Sequence, residues 1–78
     1  MKYKNIESIK EYTCQLFEKC AQQSKWHEEL AWFSKNHYTT TSEYLGELNI
    51  LIDRMLEDHD MKMYHRGLHR LKADINLS

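Results

Sequence analysis

The sequence predicts an all-α fold, a small bundle of about four helices with short connections, forming one domain over residues 1–78. Apolar residues recur at three- and four-residue intervals along most of the chain, which is the period of an α-helix. The chain contains no proline and only two glycines. Strand signals, such as hairpin dipeptides or a sustained alternation of β-branched residues, are absent.

The first two helices are predicted over residues 5–22 and 25–36, with Asn5 as the first N-cap. The apolar pattern fails at Gln22–Lys25 and then resumes on a face rotated by roughly 120°. This change of phase predicts a break, with Ser24 as the second N-cap, whereas one bent helix over 5–36 is the alternative. The two faces consist of Ile6, Ile9, Thr13, Leu16, Phe17 and Cys20, and then of Trp26, Leu30 and Phe33.

The third and fourth helices are predicted over residues 41–58 and 60–74. Thr40 and Glu43 have the spacing of a capping box, in which each side chain bonds to the amide of the other residue. The apolar stripes of the two helices lie roughly 180° apart on one helical projection. The chain therefore either turns near Asp58-His59-Asp60, which we favour with Asp60 as N-cap, or continues as one helix between two packing partners.

The predicted core follows from these stripes. Helix 3 contributes Tyr44, Leu45, Leu48, Leu51, Ile52, Met55 and Leu56, and helix 4 contributes Met61, Tyr64, Leu68, Leu71 and Ile75. The residues expected to be largely buried are Ile9, Leu16, Leu30, Leu48, Ile52, Leu56 and Leu68.

Composition narrows the classes of function. A net charge of −1 gives no global preference for nucleic acid or an anionic membrane. No apolar stretch is long enough for a signal peptide or a membrane span. Cys14 and Cys20 lie about 9 Å apart along one helix, beyond the ~7 Å limit for a disulfide. Two reduced thiols predict a cytoplasmic protein, although an intermolecular disulfide is left open.

No cofactor and no enzymatic activity are expected. His65 and His69 have the i, i+4 spacing by which a helix presents two imidazoles to zinc. Arg66 and Arg70 follow them directly and disfavour a bound dication, and no spacing identifies further ligands. The chain also lacks a nucleophile elbow, a phosphate-binding loop and a glycine-rich turn.

Charge changes sign between the last two helices. Residues 40–60 carry six acidic side chains against one arginine, whereas residues 61–78 carry four basic side chains against one aspartate. Lys62, Arg66 and Arg70 lie at four-residue steps and form one stripe, which His65, His69 and Lys72 broaden. The stripe is either a solvated face that pairs with acidic helix 3, or a docking surface for an acidic protein partner or for nucleic acid.

Trp32 lies away from the apolar face of helix 2 and is expected to be exposed. It either covers the end of a neighbouring helix or anchors a partner, because tryptophan is enriched among interface hot spots. A chain of 78 residues supports only a small core, so a homodimer is expected. Met55, Met61 and Met63 cluster at the helix 3–4 junction, where methionine serves core filling or an adaptable binding surface.

The sequence therefore predicts a small, non-enzymatic cytosolic protein that regulates or inhibits a protein partner by binding it. Bacterial and phage-encoded inhibitors, immunity proteins and regulator-binding modules are often helical and of this size. The residues expected to contact the partner are Trp32, Lys62, Arg66, His69 and Arg70. The alternative is a nucleic-acid-associated regulator that uses the basic face of the C-terminal helix.

Overall fold

The computed structural model describes residues 6–77, and the all-α prediction is confirmed. The helices are α1 (Ile6–Cys20), α2 (Ser24–Lys35), α3 (Thr41–Leu56) and α4 (His65–Leu77), and a 3₁₀ segment (His59–Tyr64) leads directly into α4. No strand occurs between residues 6 and 77. The predicted N-cap Asn5 lies outside the described residues. None of the four helices has the length and apolarity required to cross a bilayer.

The break between α1 and α2 is confirmed, but its cap is not the predicted one. The N-cap is Gln23, which is extended (φ −78°, ψ 115°) and makes no side-chain capping bond. Ser24 is already the first helical residue. Backbone bonds close the turn instead, from the Gln23 N–H to the Cys20 carbonyl (3.1 Å) and from the Trp26 N–H to the Gln23 carbonyl (2.9 Å).

The cap of α3 is close to the predicted capping box. The Thr40 hydroxyl accepts a hydrogen bond from the Glu43 N–H at 3.1 Å, as expected. The Glu43 carboxylate, however, accepts from the N–H of Thr39 (3.0 Å) and not from that of Thr40. The reach of the glutamate side chain therefore extends one residue further back. The bond to the Thr40 hydroxyl satisfies one of the donors that the first turn of a helix leaves without an intrahelical partner, whereas the Thr39 N–H precedes the cap.

The chain turns between α3 and α4, as favoured from the sequence, rather than continuing as one helix. α3 ends at Leu56, and Asp58 is extended (φ −88°, ψ 113°). The N-cap of the next element is Asp58 and not Asp60, because the Asp58 side chain accepts a hydrogen bond from the Asp60 N–H at 3.0 Å. The cap therefore lies two residues earlier than predicted, and the new helical segment starts at His59 as a 3₁₀ turn.

One core joins all the elements. α4 packs against α1 and α3, and α2 packs against α1. Of the seven residues predicted to be largely buried, six are buried, and Leu56 is the exception because it is the last residue of α3 and lies at the edge of the core. The side chains with the least exposure are Cys20, Leu30, Leu48, Ile52, Met55, Met61, Leu68 and Leu71.

An aromatic cluster holds α2 against α3. The Phe33 ring centre lies 5.7 Å from that of Phe17 on α1, and 5.6 Å from those of both Tyr38 and Tyr44. Such ring pairs contribute roughly 0.5–1.5 kcal/mol each beyond the burial of their area. The cluster lies near the loop that joins α2 to α3 and fixes that end of the helix pair.

Candidate protein-binding surfaces

Asp58 positions the C-terminal segment against α2. We call Asp58 and the residues that bond to it, Lys25, Trp26 and Asp60, the joint. Its Oδ2 atom accepts a hydrogen bond from the Trp26 indole N–H at 2.7 Å and lies 3.2 Å from the Lys25 ammonium. Its Oδ1 atom accepts the capping bond from the Asp60 N–H. The indole bond, followed by the backbone bond and the Lys25 ammonium, lowers the pKa of the Asp58 carboxyl. A single carboxylate thus fixes the start of the 3₁₀ segment to the start of α2.

The basic face comprises Lys62, Arg66, His69 and Arg70, and all four of these predicted site residues are exposed. Within residues 6–77, neither Lys62 nor Arg66 forms an ion pair. The Arg70 guanidinium lies 5.4 Å from the centre of the Tyr12 ring on α1, which is a cation–π contact. The face therefore turns toward α1 and solvent.

Lys72 does not belong to the basic face, contrary to its predicted place in the stripe. It is half-buried and forms an ion pair with Asp53 of α3. On the helical projection Lys72 lies only about 40° from the buried Leu68, whereas Arg66 lies about 160° from it. Of the four cations of residues 61–78, only Lys72 forms an ion pair with α3 among the described residues.

A close approach between α1 and α4 borders the basic face. A Cβ atom built at Gly67 would lie 3.0 Å from Cδ1 of Leu16 and 3.2 Å from the Tyr12 hydroxyl oxygen. The missing side chain of Gly67 thus allows α1 to approach. The same approach places the Tyr12 ring beneath the Arg70 guanidinium.

The two histidines of α4 have different environments. The His65 ring is half-buried, and its Nε2 atom lies 3.2 Å from the Asp58 carbonyl oxygen. His69 is exposed, and its ring centre lies 6.4 Å from that of His65. Between residues 6 and 77, no three potential metal ligands come together. His65 therefore contacts the joint, and His69 belongs to the basic face.

The methionines of the junction divide between core and surface. Met55 and Met61 are fully buried, so both serve the core. Met63 has 74% of its surface exposed and lies next to Lys62. A large apolar side chain thus accompanies the charges of the basic face. The sequence identified the cluster but not which methionine would leave the core.

The apolar groove is a second surface, formed by Trp32 on α2 and Ile50 on α3. Trp32 is 62% exposed and Ile50 is 56% exposed, and the buried Phe33 and Leu51 line the groove between them. The space enclosed is about 110 Å³. Because more than half of Trp32 remains accessible, it does not serve mainly to cover a helix end. None of the four residues of the basic face lines this groove.

Polar residues frame the apolar groove. The Arg54 guanidinium forms two hydrogen bonds with the Glu29 carboxylate and lies 5.5 Å from the centre of the Trp26 ring. Glu47 also lines the groove and makes no ion pair with any described residue. Ile50 is not among the site residues predicted from the sequence, although its position about 200° from Leu48 on the α3 projection marks it as an apolar residue outside the core stripe.

The two cysteines are both unpaired. Cys14 is exposed, whereas Cys20 is fully buried, and burial raises the pKa of the Cys20 thiol to about 11. Cys20 therefore serves as a small apolar core residue.

No family model, curated protein or solved structure shows significant similarity to this chain.

Proposed function

We propose that this protein is a small, non-enzymatic regulator or inhibitor that acts in the cytoplasm by binding an acidic protein partner. The basic face of the 3₁₀ segment and α4 contacts that partner. The protein also self-associates, through a surface other than the basic face. The basic face therefore remains accessible to the heterologous partner.

The observation that carries this proposal is a set of exposed cations that have no ion-pair partner among residues 6–77. Lys62 and Arg66 form no ion pair within residues 6–77. No acidic residue occurs between Asp60 and Asp74, so nothing along this stretch of chain neutralises them. Met63, 74% exposed, supplies apolar contact beside the charges. Charge with adjacent apolar area is the composition of a docking surface for an acidic protein.

The acidic residues of α3 and the joint do not neutralise this face. Asp53 pairs with Lys72, Glu43 bonds to the cap of its own helix, and Asp58 is engaged by Trp26 and Lys25. The attraction between the acidic and basic helices is thus limited to the ion pair between Asp53 and Lys72, which lies outside the basic face. These arrangements favour docking over intramolecular pairing as the role of Lys62 and Arg66.

The test compares two double variants with equal loss of charge. Lys62→Gln with Arg66→Gln removes the two unpaired cations, whereas Lys10→Gln with Lys19→Gln removes two exposed cations of α1 that do not contact Asp58. The wild-type protein first captures its partner from native lysate, and the association rate of that partner is then measured for all three proteins. At low salt we expect the Lys62/Arg66 variant to associate about tenfold more slowly, and the difference to shrink at high salt as screening removes the attraction.

An association rate that falls equally for both double variants would show that net charge, and not the basic face, steers the partner. The nucleic-acid alternative is tested by retention on heparin and by a DNA mobility shift across a salt series. A binder that contacts several phosphates loses affinity steeply and linearly in log[salt]. Specific DNA or RNA binding with such a slope, lost in the Lys62/Arg66 variant, would replace the acidic protein as the partner.

A further inference from the structure

We propose that the apolar groove between α2 and α3 is the interface of a two-fold symmetric dimer, in which Trp32 of each copy packs against Ile50 of the other. This inference deepens the self-association included in the proposed function and rests on it. It assigns the surface, the symmetry and the pairs of residues that meet.

α2 and α3 run antiparallel, as the contacts at the two ends of the helix pair show. Phe33 contacts Tyr44 at one end of the helix pair (5.6 Å between ring centres), and Trp26 contacts Arg54 at the other end (5.5 Å). Trp32 and Ile50 lie within about one helical turn of the same level, because they line the same groove. A two-fold axis parallel to the helices places α2 of one copy over α3 of the other without changing this level. Trp32 then meets Ile50 of the second copy, twice per dimer.

The charges on the outer faces of α2 and α3 follow opposite orders in space. Along α2 the order is Glu28, Trp32 and Lys35, which is acid, apolar and base. Along α3, in the same spatial direction, the order is Arg54, Ile50 and Glu47, which is base, apolar and acid. The spacings match, since each acid or base lies three or four residues, or about one helical turn, from the central apolar residue. The two faces are therefore complementary to each other.

Within one copy, these charges remain available for such a contact. Lys35 and Glu47 are exposed, and neither forms an ion pair with any other described residue. The two-fold arrangement brings Lys35 over Glu47 of the second copy on both sides of the two-fold axis. Glu28 lies over Arg54 of the second copy and adds an acceptor to a guanidinium that already bonds to Glu29. A second copy supplies this complement without any other protein.

The experiment is sedimentation equilibrium of the full chain at several concentrations, with two kinds of variant. Trp32→Ala should weaken the dimer by at least about 30-fold, the loss expected for an aromatic hot spot. Met63→Ala is the matched control, because Met63 is also a highly exposed apolar residue but lies outside the groove, and it should leave the dimer unchanged. Both side chains are exposed, so far-UV circular dichroism should show the wild-type helix content for both variants.

A charge exchange tests the register. Lys35→Glu alone and Glu47→Lys alone should each weaken the dimer by about tenfold, since each replaces two attractive pairs by two repulsive ones. The combination of Lys35→Glu with Glu47→Lys should restore the dissociation constant to within about threefold of wild type. Restoration supports the α2-over-α3 arrangement, because only residues that meet across the interface compensate each other.

The results that overturn the inference differ from those that overturn the proposed function. A dimer that Trp32→Ala leaves as tight as wild type excludes the groove while self-association stands. A double exchange that is weaker than both single changes excludes the register. A wild-type chain that is monomeric at every concentration removes self-association altogether, and the groove is then free for a helix of another protein. Partner association through the basic face is measured separately with the Lys62/Arg66 variant.

Discussion

The two glycines of the chain receive the same perturbation, one added methyl group, and the structure predicts opposite results. Gly46 lies on the exposed side of α3, and a Cβ atom there meets nothing within 4 Å. Gly67 lies where α4 meets α1, and its Cβ atom would be 3.0 Å from Leu16 Cδ1 and 3.2 Å from the Tyr12 hydroxyl oxygen. The pair Gly46→Ala and Gly67→Ala therefore tests whether α1 and α4 approach as closely as described.

The magnitudes follow from helix propensity and packing. Alanine is favoured over glycine inside a helix by about 0.5–1 kcal/mol, and Gly46→Ala should increase the free energy of unfolding by that amount. Gly67→Ala gains the same propensity. Its new methyl group, however, approaches its neighbours more closely than the ~3.5–4.0 Å of an optimal carbon contact, and overpacking of this kind typically costs about 1–3 kcal/mol. Both neighbouring atoms end flexible side chains, so we expect a net loss of about 0–2 kcal/mol.

Urea unfolding followed by far-UV circular dichroism measures both variants directly. A second readout is specific to the position of Tyr12. If Tyr12 is displaced, its cation–π contact with Arg70 weakens. Arg70→Gln should then lower the free energy of unfolding less in the Gly67→Ala background than in the wild type. The reasoning fails if Gly67→Ala stabilises the protein as much as Gly46→Ala. In that case α1 and α4 lie further apart than the structure places them.

Three further outcomes are expected. Leu48→Ala should lower the free energy of unfolding by roughly 2–5 kcal/mol, whereas Met63→Ala should change it by less than about 0.5 kcal/mol, as measured by urea unfolding. The lowered pKa of Asp58 stabilises the fold above the unfolded-state pKa of about 4, and this contribution is lost as pH falls through the lowered value. The melting temperature should therefore decrease less between pH 6 and pH 2 for Asp58→Asn than for the wild type. A thiol-reactive dye should label Cys14 alone in the native protein, and also Cys20 after denaturation, because Cys20 is fully buried with a pKa of about 11.

Apolar periodicity was sufficient to predict the helices and the two breaks, because a change of phase reports directly that one helix cannot bury both faces. It was insufficient for the residues that end each helix. Ser24 was the better capping residue by chemistry, yet backbone bonds through Gln23 close the first break. Asp58 and Asp60 are equally good caps by type. The Trp26 indole, 32 residues away, bonds to Asp58, and a single-sequence pattern contains no information about such a distant partner.

For the binding surfaces too, periodicity predicts which residues are exposed but not which neighbouring helix covers the others. Trp32 and the four residues of the basic face are exposed, as their positions on the helical projection predict. Lys72 was predicted on the wrong surface and Ile50 on none, because chemical type along the chain does not show which side of a helix is covered. Lys72 is basic but points to Asp53, and Ile50 is apolar but points to solvent. Each assignment depends on which neighbouring helix lies on that side, which only the packed structure specifies.

Trp26 links the two surfaces and therefore limits which substitutions can distinguish them. Its ring lies beneath the Arg54 guanidinium that borders the apolar groove, and its indole N–H bonds to Asp58, which caps the segment that begins the basic face. A substitution of Trp26 disturbs both surfaces together with the core, because the residue is only 5% exposed. Trp32 and Arg66, by contrast, are exposed on different helices. Substitutions at these two positions therefore separate loss of self-association from loss of partner binding, since neither substitution removes the contact between Asp58 and Trp26.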